Sequence, residues 1–351
     1  MNTRISGSEQ HGIHQQHDGA RRRLRRTLAL IVGTGCLSGP AFCLAYDVAA
    51  ATAAANSEIC ADAAPFYWEI GGVSGAPIVS GQRSGGAGST TYTRTTTVSL
   101  ASASKWVFAA YVLERYNGLP TGTSGTAIVN ALDMKLGYTN LNDLLCAFSV
   151  TVSGCFTIGQ NENYDAAAAG KYFYNSGHGQ YVAKSASHLN LGNKTRNTLF
   201  TEVDGYLNLG PSFSYNNLPL SSGLSGNASD YATFLQNIMN GTYVLSGYLN
   251  HTPVVTYPCA AGLTGCTPLG SVDFHYSLHH WIEDNTGGTL SNGKTLSVGD
   301  GAHSSPGAFG FYPWITADEQ FYGIVATEGE AGEFNDTIPC GRAIRSAFLG
   351  T

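Results

Sequence analysis

The cysteines place the strongest constraint on how this chain can fold. Six of the eight cysteines follow residue 45, and they are Cys60, Cys146, Cys155, Cys259, Cys266 and Cys340. An even number in an exported protein indicates three disulfides, although six cysteines allow fifteen connectivities. We favour the two pairs that would close short local loops, Cys146–Cys155 and Cys259–Cys266. Cys60 and Cys340 then remain, and their bond would join the two ends of the folded chain.

The first 45 residues have the composition of an export signal. The arginine-rich segment 21–26 precedes an apolar run, residues 28–45, and Cys43-Leu44-Ala45 has the form of a cleavage site. Residues 1–45 are therefore predicted to be a signal peptide, and Arg25-Arg26 leaves a twin-arginine route open. An uncleaved anchor is the less favoured alternative, because the run contains Gly, Pro and Cys. We expect a secreted or periplasmic protein with no integral membrane span after cleavage.

The charge of the mature chain excludes two classes of partner. Residues 46–351 contain 12 Lys and Arg against 22 Asp and Glu, which gives a formal net charge of −10. They carry no basic stripe, so neither nucleic acid nor an anionic membrane is expected as a partner. The cysteine and histidine spacings do not suggest a metal site, and neither a metal nor a cofactor is predicted. The sequence gives no indication of the oligomeric state.

The order of the secondary-structure patterns predicts an α+β (mixed α/β) fold. Strand patterns near the start cover residues 66–70 and 77–79, and those near the end cover residues 275–282, 309–315 and 321–327. Helical patterns follow Ser102 and Asp230, and a short helix is expected over residues 343–348. We therefore expect residues 46–351 to form a single domain. Both chain ends would build one antiparallel sheet flanked by helices, with a mostly helical, loop-rich half inserted between them.

A candidate nucleophile lies at the start of an apolar helical run. Ser102 and Lys105 are three residues apart there, which puts a hydroxyl and an amine on one helical face. A neutral amine can take the hydroxyl proton, and the helix N-terminus favours negative charge near the serine N–H. This arrangement would activate a serine without a Ser-His-Asp triad. By itself, the pattern also fits a capped helix with a solvated lysine.

Two later segments favour the catalytic interpretation. Residues 171–182 read KYFYNSGHGQYV, and residues 302–312 read AHSSPGAFGFY. With Ser102-x-x-Lys105, they resemble the serine β-lactamases, penicillin-binding proteins and related esterases and amide hydrolases, especially the class C-like branch. That family carries S-x-x-K, Y-x-N, and K-T-G or H-x-G, in this order. The resemblance covers roughly residues 60–350 and implies the β-lactamase/transpeptidase-like fold.

The resemblance also implies roles for individual residues. Tyr174 matches the motif tyrosine, because two apolar residues stand seven and eight places after it. It would move protons together with Lys105. Ser176 occupies the third position of the motif, where the family usually has Asn.

The register of the third motif decides which backbone N–H completes the oxyanion hole. Our preferred alignment puts residues 302–304 in place of K-T-G and makes Ser305 the donor. Pro306 cannot donate, because proline has no N–H. A register with a shorter loop would use Ala308. In the preferred alignment, His303 would supply a weaker, pH-dependent positive group toward the substrate.

Together, these features predict an exported serine hydrolase that cleaves a small-molecule or peptide-like ester or amide. Ser102 would form the acyl-enzyme, and Lys105 and Tyr174 would activate it. The first alternative is a β-lactamase or D-Ala-type peptidase, although the K-T-G side chains that help hold a carboxylate are replaced here. The second alternative is an inactive module that binds β-lactams or the cell wall.

Overall fold

The computed structural model describes residues 46–351; the predicted signal peptide, residues 1–45, lies outside the described residues. The helices are α1 (Val48–Ala55), α2 (Ser104–Tyr116), α3 (Gly122–Leu132), α4 (Val152–Thr157), α5 (Gly177–Lys184), α6 (Arg196–Leu207), α7 (Ala228–Met239) and α8 (Phe334–Leu349). The strands are β1 (Phe66–Gly72), β2 (Val79–Arg83), β3 (Val98–Ser99), β4 (Ser214–Tyr215), β5 (Leu224–Gly226), β6 (Val254–Val255), β7 (His275–Ser277), β8 (His280–Glu283), β9 (Ala302–Ser304), β10 (Tyr312–Ile315) and β11 (Phe321–Ala326).

Strands from both ends of the chain form the main sheet. Its order is β2-β1-β11-β10-β9-β8-β7-β6, and each neighbouring pair is antiparallel. β1 pairs with β11 from Tyr67–Ala326 to Gly72–Phe321, so the start of the chain lies beside its end. β3, β5 and β4 form a second, three-stranded sheet. The predicted α+β fold with a sheet built from both ends is confirmed.

The central helix of the inserted half is α2. Its first ten residues, from Ser104 to Leu113, are all buried. A helix that is buried on every side needs an apolar sequence, and this one contains Trp106, Phe108 and Leu113 at 0% exposure. It ends at Tyr116, where Asn117 takes a left-handed φ of 51° and acts as the C-cap. The buried helix fixes the position of Ser102 just before it.

The single strand predicted over residues 275–282 is wrong. The chain turns there between β7 and β8, and Leu278 and His279 have φ values of 40° and 66°. Positive φ at both central residues is typical of a two-residue hairpin turn, which normally contains Gly or Asn. Tertiary hydrogen bonds hold this turn: Leu278 N donates to Asp133 Oδ1 at 3.0 Å and His279 N to Leu132 O at 2.8 Å.

Two more boundaries differ from the sequence prediction near the chain end. The strand expected from residue 309 begins only at Tyr312, because Gly310 closes a turn by donating its N–H to Gly307 O at 3.0 Å. The last helix begins at Phe334 instead of residue 343 and contains Pro339. Gly341 lies where a Cβ would be 2.5 Å from the Tyr312 ring, so close contact with the sheet requires glycine there. Because Pro339 and Gly341 interrupt the helical pattern, the sequence did not predict the first part of this helix.

The three favoured disulfides are all present. Cys60–Cys340 spans 280 residues, whereas Cys146–Cys155 and Cys259–Cys266 span 9 and 7. The long bond connects the segment before β1 to α8, so it joins the two chain ends as predicted. Between residues 46 and 351, none of the helices has the length and apolar character needed to cross a membrane.

Candidate active site

Ser102 lies in a 3₁₀ turn, Ala101–Ala103, between β3 and α2. Ala101 has a φ of 42°, a left-handed conformation that is uncommon for a residue with a side chain and turns the chain sharply into the helix. Two contacts from other elements hold the turn: Tyr231 Oη donates to Ala103 O at 2.8 Å, and Leu224 N donates to Ser104 Oγ at 3.1 Å. The half-buried Ser102 is therefore held at the helix N-terminus.

The amine of Lys105 is surrounded by three oxygen atoms. Lys105 Nζ lies 3.1 Å from Ser102 Oγ, 3.1 Å from the Ser221 carbonyl oxygen and 3.5 Å from Ser176 Oγ. Only 1% of the residue is exposed. The lysine is therefore a buried partner of Ser102, and the alternative of a solvated lysine on a capped helix does not hold.

Tyr174 lies on the other side of this amine. The centroid of its ring is 4.8 Å from Lys105 Nζ. The ring stacks on Trp281 with centroids 5.3 Å apart, and Tyr174 N donates to Cys266 O at 2.8 Å. Both the strand β8 and the Cys259–Cys266 loop therefore help to position Tyr174.

A cavity of about 90 Å³ connects Ser102 and Tyr174. Its lining residues are Ser102, Tyr174, Pro268, Leu269, Trp281, Pro306, Ala308 and Phe334. None of these side chains is charged, and most are apolar. A larger cavity of about 710 Å³ lies between α8 and residues 295–300, but none of the residues around Lys105 lines it.

Ser305 has to be corrected as the oxyanion donor. Its N–H donates to Pro313 O at 3.2 Å, because the chain continues beside β10 after β9. Its hydroxyl donates to the Ser102 carbonyl oxygen at 3.0 Å. Ser305 therefore supports the turn that carries Ser102, and its N–H is already used in the sheet.

The geometry favours Ala308 instead. Ala308 lines the cavity together with Ser102. Within residues 46–351, neither the main-chain N–H of Ala308 nor that of Ser102 has an acceptor. Gly307 brings this loop close to the Ser102 turn: a Cβ at residue 307 would lie 2.3 Å from Leu100 O. Gly307 N also donates to Phe311 O at 2.8 Å, which closes the turn that holds Ala308.

His303 does not supply a positive group to the cavity, and that expectation is wrong. The residue is 1% exposed, and its Nδ1 lies 3.1 Å from His280 Nε2. Burial lowers the pKa of His303 to about 4, so the ring is neutral at pH 7. Ala302 is fully buried as well. Both positions that align with the K-T-G lysine and threonine are therefore buried.

The comparisons with known proteins concern the fold. The chain is similar to the D-amino acid amidase from Ochrobactrum anthropi (TM-score 0.59, 9% identity, 86% of this chain and 99% of that chain). It is also similar to a putative β-lactamase from Bacteroides dorei (TM-score 0.53, 14% identity, 87% of this chain and 100% of that chain). A third similar structure is the penicillin-binding protein from Bacillus halodurans (TM-score 0.52, 11% identity, 82% of this chain and 98% of that chain). The fold is that of the β-lactamases and penicillin-binding proteins. No protein-family model and no curated protein matches the chain.

The β-lactamase-like fold brings three further residues to Lys105 that the sequence analysis missed. Asp143 Oδ2 accepts a hydrogen bond from Ser176 Oγ at 3.3 Å. Ser221, whose carbonyl contacts Lys105, has its hydroxyl 3.1 Å from His279 Nε2. Ser221 contributes a main-chain oxygen, which any residue carries, so the sequence held no signal for it. Asp143 and His279 reach the site through loops that no motif describes.

His279 holds Ser221, whose carbonyl oxygen contacts Lys105, in place. Its Nδ1 lies 2.8 Å from Leu132 O, so that nitrogen carries the hydrogen and Nε2 accepts from the Ser221 hydroxyl. Burial lowers the pKa of His279 to about 3, which keeps the ring neutral. Within residues 46–351, no cluster of three or more His, Cys, Asp or Glu side chains is arranged to hold a metal ion.

Proposed function

We propose that the protein is an exported serine hydrolase that cleaves an ester or amide bond through an acyl-enzyme on Ser102. The observation that carries the proposal is the 3.1 Å distance between Lys105 Nζ and Ser102 Oγ in a buried site. A solved structure with this fold is a D-amino acid amidase, in agreement with this class of reaction. The three disulfides support export, because disulfides persist in oxidising compartments.

The mechanism begins with a neutral Lys105. A neutral amine has two N–H bonds and one lone pair, and Lys105 has three oxygen neighbours. Donation to Ser176 Oγ and to Ser221 O leaves the lone pair facing Ser102 Oγ. Lys105 then takes the hydroxyl proton as Ser102 attacks the substrate carbonyl carbon.

Two N–H groups would stabilise the negative charge that develops on the substrate oxygen. We assign this role to the N–H of Ser102 and the N–H of Ala308, which line one cavity. Tyr174 passes the proton that Lys105 took from Ser102 to the leaving alcohol or amine as its bond to the carbonyl carbon breaks. Water then attacks the acyl-enzyme and gives a proton to the same pair, Lys105 and Tyr174. That proton returns to Ser102 Oγ as its bond to the acyl carbon breaks, so the product acid leaves and the Ser102 hydroxyl is restored.

The cavity favours a small, uncharged acyl group. None of its lining residues carries a charge, and the residues at the K-T-G positions are a buried alanine and a neutral histidine. A carboxylate bound there would lose its hydration without gaining a cationic partner. We therefore favour neutral esters or amides over β-lactams and D-Ala peptides.

The test of this proposal is covalent labelling combined with turnover. Mature protein, residues 46–351, should hydrolyse short p-nitrophenyl esters, and a fluorophosphonate should label Ser102 in a peptide map. Ser102→Ala should abolish the label and lower kcat/KM at least about 10³-fold, because the nucleophile is lost. Ser99→Ala, at the end of β3, is the matched control and should retain both.

The same assays separate the alternatives. Turnover of a chromogenic cephalosporin faster than of the esters would replace our proposal with a β-lactamase or D-Ala-type peptidase. Folded wild-type protein that shows neither turnover nor a Ser102 label would contradict an enzymatic function and favour a binding module.

A further inference from the structure

Asp143 takes no part in the proposed mechanism, yet its carboxylate contacts Ser176 next to Lys105. The residue lies in the loop between α3 and the Cys146–Cys155 disulfide, and it is half-exposed while its Oδ1 is buried. Its Oδ2 is 3.3 Å from Ser176 Oγ. Burial raises the pKa of Asp143, and the nearby Lys105 charge opposes that shift. A buried carboxylate is costly for a protein to keep, so its contact with Ser176 calls for an explanation.

The direction of the Ser176 hydroxyl gives that explanation. A hydroxyl has one hydrogen to donate, and an ionised carboxylate can only accept. Ser176 therefore directs its hydrogen to Asp143 and its lone pairs away from it. Lys105 Nζ lies 3.5 Å from Ser176 Oγ and can donate to those lone pairs. Without Asp143, the Ser176 hydroxyl could rotate and donate to the lysine lone pair, which would then be lost to Ser102.

We propose that Asp143 is a positioning residue that acts through Ser176: it fixes the Ser176 hydroxyl as an acceptor and so keeps the Lys105 lone pair on Ser102 Oγ. This inference rests on the proposed function, because it assigns a task only if Lys105 is the base. It adds a carboxylate to the site that touches neither the substrate nor the reacting atoms.

The negative charge of Asp143 allows a second test of its role, through the pH dependence of kcat/KM. The other groups that face Lys105 are the Tyr174 ring at 4.8 Å and His279, which is neutral. Asp143 lies close enough to Lys105 for their charges to interact. A negative neighbour favours the protonated amine. Asp143→Asn should thus move the acid limb of the kcat/KM profile to lower pH, while its amide oxygen can still accept from Ser176.

A double-mutant cycle tests whether Asp143 acts through Ser176. Wild type, Asp143→Ala, Ser176→Ala and the double variant are compared by kcat and KM for a p-nitrophenyl ester and by the rate of fluorophosphonate labelling. We expect each single variant to lower kcat about 10- to 100-fold, with KM changed less than about threefold. The double variant should be within about twofold of Ser176→Ala alone. Asp165→Ala, an acidic residue in the same half that does not contact Ser176, should keep wild-type kcat.

Three outcomes would overturn the inference. They are an Asp143→Ala enzyme with full kcat, single-variant losses that multiply in the double variant, and an Asp143→Asn profile whose acid limb does not move. If Asp143→Ala fails to fold by circular dichroism, the Asp143→Asn profile decides alone. Wild-type protein without a Ser102 label fails the proposed function itself, whereas a labelled, active wild type with multiplying losses fails only the role of Asp143.

Discussion

Several histidines of this protein are neutral because they are buried, where the charged form of the ring loses its hydration. His178 accepts from Leu136 N at Nδ1, 2.9 Å away, and its Nε2 lies 2.8 Å from Phe173 O. A second proton on the ring would remove the acceptor for Leu136. Burial lowers the pKa of His178 to about 4, of His279 to about 3 and of His303 to about 4.

These histidines predict a loss of stability in mild acid. An unfolded histidine binds a proton near pH 6.5, whereas the three folded rings do so only near pH 3 to 4. Between those values the unfolded state binds more protons, so the free energy of unfolding falls as the pH falls. Each ring contributes up to about 1.4 kcal/mol per pH unit. Urea unfolding followed by circular dichroism from pH 7.5 to pH 5 measures this slope.

The variant His178→Asn tests whether His178 contributes to this pH dependence of stability. His178→Asn removes one of these titrating groups, so its stability should fall less steeply between pH 6.5 and 5 than that of the wild type. A stability that stays flat down to pH 5 would contradict the neutral, buried state of these rings. Assays of Ser102 chemistry belong above pH 6.5, where this effect is absent.

The sequence revealed the residues whose spacing is set by local geometry. One helical turn fixes Ser102 relative to Lys105, and the short segment before α5 fixes Tyr174 relative to Ser176. Asp143 could not be found in this way, because its contact with Ser176 depends on how a loop folds across 33 residues. The preferred register of the third motif chose Ser305, because the strand pairing that occupies the Ser305 N–H is a tertiary property that the sequence does not show. The register with Ala308 stays a prediction.

At the level of elements, one buried arginine connects the last helix to the sheet. Arg345 of α8 is fully buried, and its guanidinium lies 2.7 Å from Glu283 on β8 and 2.6 Å from Asp300 before β9. It also donates to Tyr312 Oη on β10 at 3.2 Å. The helix is thus joined to three neighbouring parts of the sheet that carries the cavity.

Loss of this arginine should strongly destabilise the fold. Arg345→Ala takes the nearest cation away from the buried Glu283 carboxylate, which keeps the Tyr312 hydroxyl at 2.6 Å and the more distant Arg342 at 3.9 Å. The loss of this buried ion pair costs about 3–5 kcal/mol of unfolding free energy. Lys294→Ala provides the comparison, because it removes partly exposed ion pairs with Asp62 and Asp336 and should cost about 1 kcal/mol or less. Urea unfolding at pH 7.5 measures both variants. Similar costs for the two would contradict a structural role for the buried cluster.

The elements that the sequence predicted well are those in which apolar residues recur at a regular helical or strand spacing. The buried helix α2 and the strand β11 were found with small errors at their ends. The β7–β8 hairpin was missed, because its turn consists of Leu278 and His279 and is stabilised by Asp133 and Leu132 from another part of the chain. Neither turn residue is Gly, Asn or Asp, so no local sequence signal marked the turn, and only tertiary contacts could indicate it.

At the scale of the whole molecule, the sheet depends on bringing the two chain ends together. β1 pairs with the neighbouring β2 on one side, but on its other side it pairs with β11, which comes from the far end of the chain. Contacts of this range carry a large loop-closure entropy. The Cys60–Cys340 disulfide spans 280 residues and reduces the conformational entropy of the unfolded chain, so less entropy is lost when these contacts form.

This disulfide should therefore stabilise the protein more than a local one does. The chain-entropy relation gives about 5.6 kcal/mol for closing 280 residues and about 2.4 kcal/mol for closing 7, as in Cys259–Cys266. The Cys60→Ser/Cys340→Ser variant should lose more unfolding free energy in urea than Cys259→Ser/Cys266→Ser. It should also keep its esterase kcat at 25 °C while it remains folded, because Cys60 and Cys340 do not line the Ser102 cavity. Equal losses for the two variants would mean that native contacts around each bond, and not the length of the closed loop, determine what it contributes.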